Sequence, residues 1–170
     1  MRSAPNDDLP EAVRAMLDCP RHPQQGDLPA SREAVQALAA AICDPDPRRW
    51  SDDCAAPVTM LSTWARPPQW SPQHSASGPK RPLQTHYDLK EMLAYPVAIV
   101  ASIESEFHAP VAPGDTVQSV EILRSLSAEK DTRLGRGRFW RIEVQYHNQR
   151  GELLGIEVYE CLGYRRGDKA

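Results

Sequence analysis

The hydrophobic pattern changes its period at about residue 96, and this change constrains the fold of the 170-residue chain more than any other feature. Apolar residues then alternate with polar ones in stretches around 99–107, 120–122, 140–146 and 156–164. A period of two is typical of strands with one buried face. Turn residues at Pro113-Gly114 and at 148–151 predict hairpin connections. The second half is therefore predicted to be an antiparallel meander of four long strands.

Before the change, the pattern is helical. Val35, Leu38, Ala39 and Ile42 follow the spacing i, i+3, i+4, i+7, with Ser31 placed as an N-cap. This predicts a helix of about 12 residues, which must end at the Asp-Pro-Asp-Pro stretch 44–47. A shorter helix is expected at 10–17, and Pro57 suits a helix start in the apolar stretch 57–65, which is too short to assign from its period. Helices first and strands after predict an α+β domain, in which an apolar helix covers one face of the sheet.

Prolines mark the organisation of the chain, since 16 of them exceed the usual share of about 5%. Residues 1–27 are predicted to be an N-terminal extension, and residues 28–170 one domain. The proline-rich run at 66–82 has no apolar period and predicts a surface loop, with Trp64 and Trp70 near its start.

Composition excludes several classes of protein. A net charge of −3 with 41% hydrophobic residues argues against a nucleic-acid binder and against a disordered chain. No apolar run approaches the roughly 18 residues of a membrane span, and the first 20 residues lack a signal-peptide pattern. The four cysteines form no pair or group with histidines typical of a metal site. We therefore expect a cytoplasmic protein with reduced thiols, no metal and no membrane contact.

Four strings in order resemble one family: AAAICDPDPRRW, AAPVTMLSTWARP, EFHAPVAPGDT and GRGRFW with YHNQRGELLG. Together they span about residues 32–166. The chain resembles the MaoC-like dehydratases and enoyl-CoA hydratases, specifically the N-terminal half of double hot-dog proteins or the non-catalytic subunit of heteromeric ones. The resemblance implies a single hot-dog fold, an antiparallel sheet wrapped around a central helix.

The catalytic members of that family carry an Asp-x-Asn-Pro-x-His string whose Asp/His pair hydrates an enoyl thioester. Here Asp44 takes the Asp position, Asp46 replaces the Asn, Pro47 is kept, and Arg49 stands at the His position. An arginine stays protonated, so it cannot shuttle a proton. Asp44 is left either as a lone catalytic carboxylate or as a turn former.

The resemblance implies a subunit that shapes the substrate pocket of an enoyl-CoA hydratase, while a second hot-dog chain supplies the dyad in a heterodimer or heterotetramer. It implies an acyl-CoA substrate and no cofactor. The shortened connection after Arg49, with Trp50, Trp64 and Trp70, favours a bulky or rigid acyl group, and the family resemblance implies a steroid side chain. Two alternatives remain open: a self-sufficient homodimer that uses Asp44 with His86 or His108, and an acyl-CoA-binding module without chemistry.

A basic cluster precedes the strand at 139–146. It consists of Lys130, Arg133, Arg136 and Arg138, threaded with two glycines. Closely spaced guanidinium groups on flexible backbone suit the phosphates of coenzyme A. The alternative is a solvated hairpin whose charges protect an edge strand.

Overall fold

The computed structural model describes residues 9–66, 72 and 83–166. The described part contains four α-helices: α1 (Glu11–Arg14), α2 (Arg32–Ala41), α3 (Leu61–Trp64) and α4 (Gln84–Met92). Its six strands are β1 (Pro20–Gln25), β2 (Val97–Phe107), β3 (Val117–Leu126), β4 (Lys130–Thr132), β5 (Gly135–Asn148) and β6 (Leu153–Arg165). The expected α+β class is confirmed.

All six strands form one antiparallel sheet in the order β1-β3-β5-β6-β2, with β4 paired to β5. The predicted hairpin at 148–151 is confirmed, because β5 and β6 pair on either side of it. The predicted hairpin at Pro113-Gly114 is wrong. β2 pairs with β6 and β3 pairs with β5, so this turn carries the chain from one side of the sheet to the other. The four long strands are therefore present but do not form a simple meander.

One face of β5 carries much of the core. Trp140, Ile142, Val144 and Tyr146 alternate along the strand and are buried. Against this face lies α4, which also packs on β1, β2 and β3. The pattern of residues 84–92 did not predict this helix, because its buried positions include Thr85 and His86. The sheet thus encloses a helix, as the resemblance implies.

Helix α2 matches its prediction closely. The Ser31 hydroxyl accepts a hydrogen bond from the Ala34 N–H, so it is the N-cap. Val35 and Ala39 are buried, whereas Ile42 at the end of the predicted apolar stripe is exposed. The helix therefore ends shortly before the Asp-Pro-Asp-Pro stretch, as predicted.

The N-terminal segment contributes to the sheet and the core. β1 pairs with β3 although its sequence, PRHPQQ, contains two prolines and was not predicted to be a strand. Prolines are tolerated there because β1 is an edge strand. Leu9, Val13 and Met16 are buried. The boundary between an extension at 1–27 and a domain at 28–170 stays a prediction.

Strand β2 forms the opposite edge of the sheet. It pairs with β6 along one side only. Val100, Ile103 and Phe107 are exposed, and their register with β6 places them on the same face as Trp140 and Tyr146. The helix-facing apolar surface therefore continues across β2, where the described helices leave it uncovered.

Candidate functional site

The loop after α2 holds Asp44 as the centre of a turn. The Asp44 Oδ1 accepts a 3.0 Å hydrogen bond from the Asp46 N–H. Arg49 approaches from the 3₁₀ turn Pro47–Arg49, and its Nε lies 3.5 Å from Asp44 Oδ2. The two residues that stand at the family's Asp and His positions thus form an ion pair.

Further contacts fix Arg49 in this place. Its side chain is only 16% exposed, and its Nη1 donates a 2.8 Å hydrogen bond to the Ala55 carbonyl oxygen. The Asp46 carboxylate accepts hydrogen bonds from the Arg48 side chain, which lower the pKa of Asp46 to about 2. Both carboxylates of the loop are therefore bound to neighbouring arginines.

The free backbone N–H groups at the N-terminus of α4 are bound by a side chain of the same chain. Leu83 adopts a left-handed conformation with φ of 61°, and the helix begins at the next residue. The buried Glu121 carboxylate of β3 accepts hydrogen bonds of 2.9 and 2.8 Å from the Gln84 and Thr85 N–H groups. Helix N-termini offer such donors to anions, and here a protein carboxylate has taken them.

His86 lies inside α4. Its ring packs at 5.5 Å from the Trp140 ring and at 5.4 Å from the Tyr87 ring. Burial, with a smaller contribution from the Lys90 charge, lowers the pKa of His86. This imidazole is therefore neutral near pH 7.

The second candidate histidine, His108, follows the end of β2. His108 Nε2 lies 3.5 Å from Glu106 Oε1, and the His108 N–H bonds to the Leu154 carbonyl oxygen. Within the part of the chain that the structure describes, neither His86 nor His108 forms a hydrogen bond or an ion pair with Asp44. The structure thus brings Asp44 together with Arg49 and with neither histidine.

The four residues of the predicted phosphate-binding cluster have different surroundings in the β4–β5 hairpin. Lys130 Nζ lies 4.5 Å above the Phe139 ring, and Arg133 is exposed in the turn. Arg136 donates a 2.9 Å hydrogen bond to Glu129, while Arg138 is buried and donates to the Ser127 carbonyl oxygen. Lys130 and Arg133 are the members of the cluster that face solvent without a carboxylate partner among the described residues.

The tryptophans of the prediction have different surroundings. Trp64 ends α3 and packs against the core. Trp50 is exposed, and its indole N–H donates to the Asp44 carbonyl oxygen. Trp70 lies outside the described residues.

A pocket of about 380 Å³ opens between α4, β2 and β6. Arg66, His86 and Tyr87 line one side, and Ile99 and Val100 of β2 line the other. Sequence reasoning missed Arg66, which lay at the start of the predicted loop. The pocket is within the size range of small-molecule sites.

The described ranges 9–66, 72 and 83–166 contain neither a candidate metal site nor a candidate membrane-spanning helix. No group of three or more His, Cys, Asp or Glu side chains there could hold a metal ion. No helix there is long and apolar enough to cross a membrane.

Comparison with known proteins finds a matching family model and a curated relative. A family model described as "FAS1-like, dehydratase domain region" matches residues 21–156. A curated relative, the probable enoyl-CoA hydratase alpha subunit of Thermomonospora curvata, is 27% identical over 158 residues, which cover 84% of the chain and 47% of the relative. The chain thus spans about half the length of that relative.

Two solved structures share the fold. The ChsH1-ChsH2 complex from Mycobacterium tuberculosis contains a chain that matches with a TM-score of 0.74 at 20% identity, over 94% of this chain and 92% of that chain. A MaoC-like dehydratase from Rhodospirillum rubrum matches with a TM-score of 0.54 at 15% identity, over 86% and 92%. The hot-dog fold and the resemblance to MaoC-like dehydratases are confirmed.

Proposed function

Because the chain belongs to the FAS1-like dehydratase-domain family, we propose that it is the substrate-shaping, non-catalytic subunit of a heteromeric enoyl-CoA hydratase. A second hot-dog chain supplies the Asp/His dyad. The net reaction adds water across a trans-2-enoyl thioester and yields a 3-hydroxyacyl thioester.

The ion pair between Asp44 and Arg49 is the observation that carries this proposal. Hydration requires a base that deprotonates water and an acid that protonates the α-carbon. Arg49 stays protonated, and its charge holds Asp44 in a turn. The pair supplies neither a cycling proton nor a free carboxylate.

The blocked N-terminus of α4 supports the same proposal. Stabilisation of an enolate-like thioester oxygen requires backbone donors aimed at the place where the charge develops. The Gln84 and Thr85 N–H groups already bind Glu121. A thioester oxygen would have to displace a buried carboxylate to reach them.

The open edge of β2 favours a hot-dog partner. An edge strand presents unpaired N–H and C=O groups, which are a template for another strand. Ile103 and Phe107 add exposed apolar surface beside this edge. The relative from Thermomonospora curvata carries the name of an alpha subunit, and the chain from Mycobacterium tuberculosis was solved in a complex. A heterodimer or a heterotetramer would cover both the edge and the apolar face.

For the substrate we propose an acyl-CoA with a bulky acyl group, such as a steroid side chain, and no cofactor. The solvent-facing Lys130 and Arg133 are the best placed of the basic cluster for coenzyme A phosphates, while Arg136 and Arg138 are held by Glu129 and Ser127. Trp64 and Trp70 keep their proposed role in the acyl pocket. The four free thiols fit the proposed cytoplasmic location.

The proposal is tested by expression of the chain alone and together with a hot-dog chain that carries an intact Asp-x-Asn-Pro-x-His string. We expect hydration of a bulky enoyl-CoA by the co-purified complex and none by the chain alone. Turnover by the chain alone that is lost on Asp44→Asn would establish a self-sufficient homodimer. Acyl-CoA binding by the lone chain without any complex would establish a binding module.

A further inference from the structure

The pocket between α4, β2 and β6 has one charged side chain among the described residues that line it, and this is Arg66. His86, which also lines it, is neutral near pH 7 for the reason given above. The other described lining residues include the apolar side chains of Leu83, Ile99 and Val100. The pocket therefore combines apolar side chains with a single guanidinium group.

The guanidinium group of Arg66 is close to polar groups of the sheet but is not paired by them. Its charge lowers the pKa values of the Tyr146 and Tyr159 hydroxyls, against the larger rise that burial causes. Both hydroxyls donate to the Glu157 carboxylate, Tyr146 at 2.7 Å and Tyr159 at 2.5 Å. In the part of the chain that the structure describes, no carboxylate forms an ion pair with Arg66.

An unpaired arginine in a partly buried pocket is a binding group for a planar anion. Guanidinium and carboxylate form two parallel hydrogen bonds, and this bidentate pairing is stronger and more selective than contact with a neutral oxygen. The Glu157 carboxylate is held by two tyrosines and is not among the described residues that line the pocket. The pairing partner of Arg66 is therefore to be sought in a ligand.

We infer that this pocket binds a carboxylate carried on an apolar group, with Arg66 as the specificity-determining residue. The inference rests on the proposed function for its place in the reaction: the carboxylate belongs to the part of the acyl group remote from the thioester. Tyr87 and Val100 contact the apolar body of the ligand. A hydratase complex that contains this chain would thus prefer acyl groups that carry a second, distal carboxylate.

Binding of two matched probes to the full-length chain tests the inference directly. Naphthalene-2-carboxylate has the flat apolar body and the anion, and naphthalene-2-carboxamide keeps the shape without the charge. We expect the carboxylate to bind at least about tenfold more tightly, as measured by isothermal titration calorimetry, since a hydrogen bond to a charged group is the stronger kind. Equal affinities would overturn the inference without any variant.

Two variants assign the preference to one residue. Arg66→Met removes the guanidinium and keeps a long apolar chain, so the preference for the carboxylate should disappear. Arg14→Met, at the exposed end of α1, is the matched control and should keep it. A preference that survives in Arg66→Met would contradict the assignment.

The outcome separates this inference from the proposed function. A carboxylate preference that depends on Arg66, with no hydration by any hot-dog complex, would leave the pocket established and the proposed function refuted. Hydration by the complex, with equal affinity of the chain for the two probes, would refute the carboxylate site alone.

Discussion

Arg49 Nε lies 3.5 Å from Asp44 Oδ2, so the carboxylate at the family's catalytic position faces a permanent cation. The same arginine donates to the Ala55 carbonyl oxygen from a side chain that is 16% exposed. The residue that the resemblance places at the family's histidine position thus contacts both Asp44 and Ala55.

Removal of Arg49 should therefore destabilise the protein. Arg49→Met leaves the Ala55 carbonyl oxygen without its donor and the Asp44 carboxylate without its cation, and we expect a loss of about 1–3 kcal/mol of unfolding free energy in urea. Arg48→Met is the control, because the Arg48 side chain is 79% exposed and its ion pair with Asp46 is a surface pair. Equal losses in the two variants would show that Arg49 has no special structural role.

The carboxylate of Glu121 should be needed for the start of α4. Glu121→Gln keeps the size of the side chain but weakens two hydrogen bonds to backbone N–H groups and leaves a buried amide to be satisfied. We expect a loss of about 1–3 kcal/mol of unfolding free energy. Glu106→Gln, on the exposed edge strand, is the matched control and should change it by less than about 0.5 kcal/mol. Unchanged stability of Glu121→Gln would contradict a role of this carboxylate as the cap of α4.

His86 should make stability depend on pH. Burial lowers its pKa in the folded state, so below the unfolded value of about 6.5 the unfolded chain binds more protons. The unfolding free energy should therefore fall as the pH drops from 7 towards 5. The stability that a neutral His86 contributes should be fully present above the pKa of the unfolded chain. His86→Gln should flatten the slope over this window in urea titrations. An unchanged slope would contradict a buried neutral imidazole.

The exposed apolar face at β2 should drive association. The chain alone is expected to self-associate in size-exclusion chromatography, because an open edge strand and apolar surface are left uncovered. Ile103→Lys places a charge at a residue that is 55% exposed, so it should weaken association without lowering the unfolding free energy. Leu134→Lys, in the exposed turn of the β4–β5 hairpin, is the control. A wild-type chain that runs as a monomer would count against any pairing through this edge.

Local patterns predicted the elements whose burial follows a strict period. Helix α2 begins at its predicted cap and ends before the Asp-Pro-Asp-Pro stretch, and the alternation along β5 matches its buried face. The partners of each strand could not be predicted in this way. The short turn at Pro113-Gly114 resembles a hairpin, yet the pairing of β2 with β6 depends on contacts that are remote in sequence.

Helix α4 shows why the site was only partly predicted. Its buried face includes Thr85 and His86, which are polar by type, and its first N–H groups are capped by Glu121, which is 36 residues away from Thr85. No sequence pattern within residues 84–92 predicts a cap from a side chain so remote in the sequence. The resemblance places Arg49 at the family's histidine position, whereas the ion pair of Arg49 with Asp44 could not be predicted from the sequence.

The most direct test of a non-catalytic subunit is the kcat of the two-chain complex after matched substitutions. Asp44→Asn in this chain should leave the kcat for hydration of a bulky enoyl-CoA within about twofold of the wild type, because Asp44 transfers no proton. The Asp-to-Asn substitution in the dyad of the partner chain should lower it by about 10²-fold or more. A comparable loss of kcat from Asp44→Asn, in a complex that still assembles, would show that this chain is catalytic and would contradict the account.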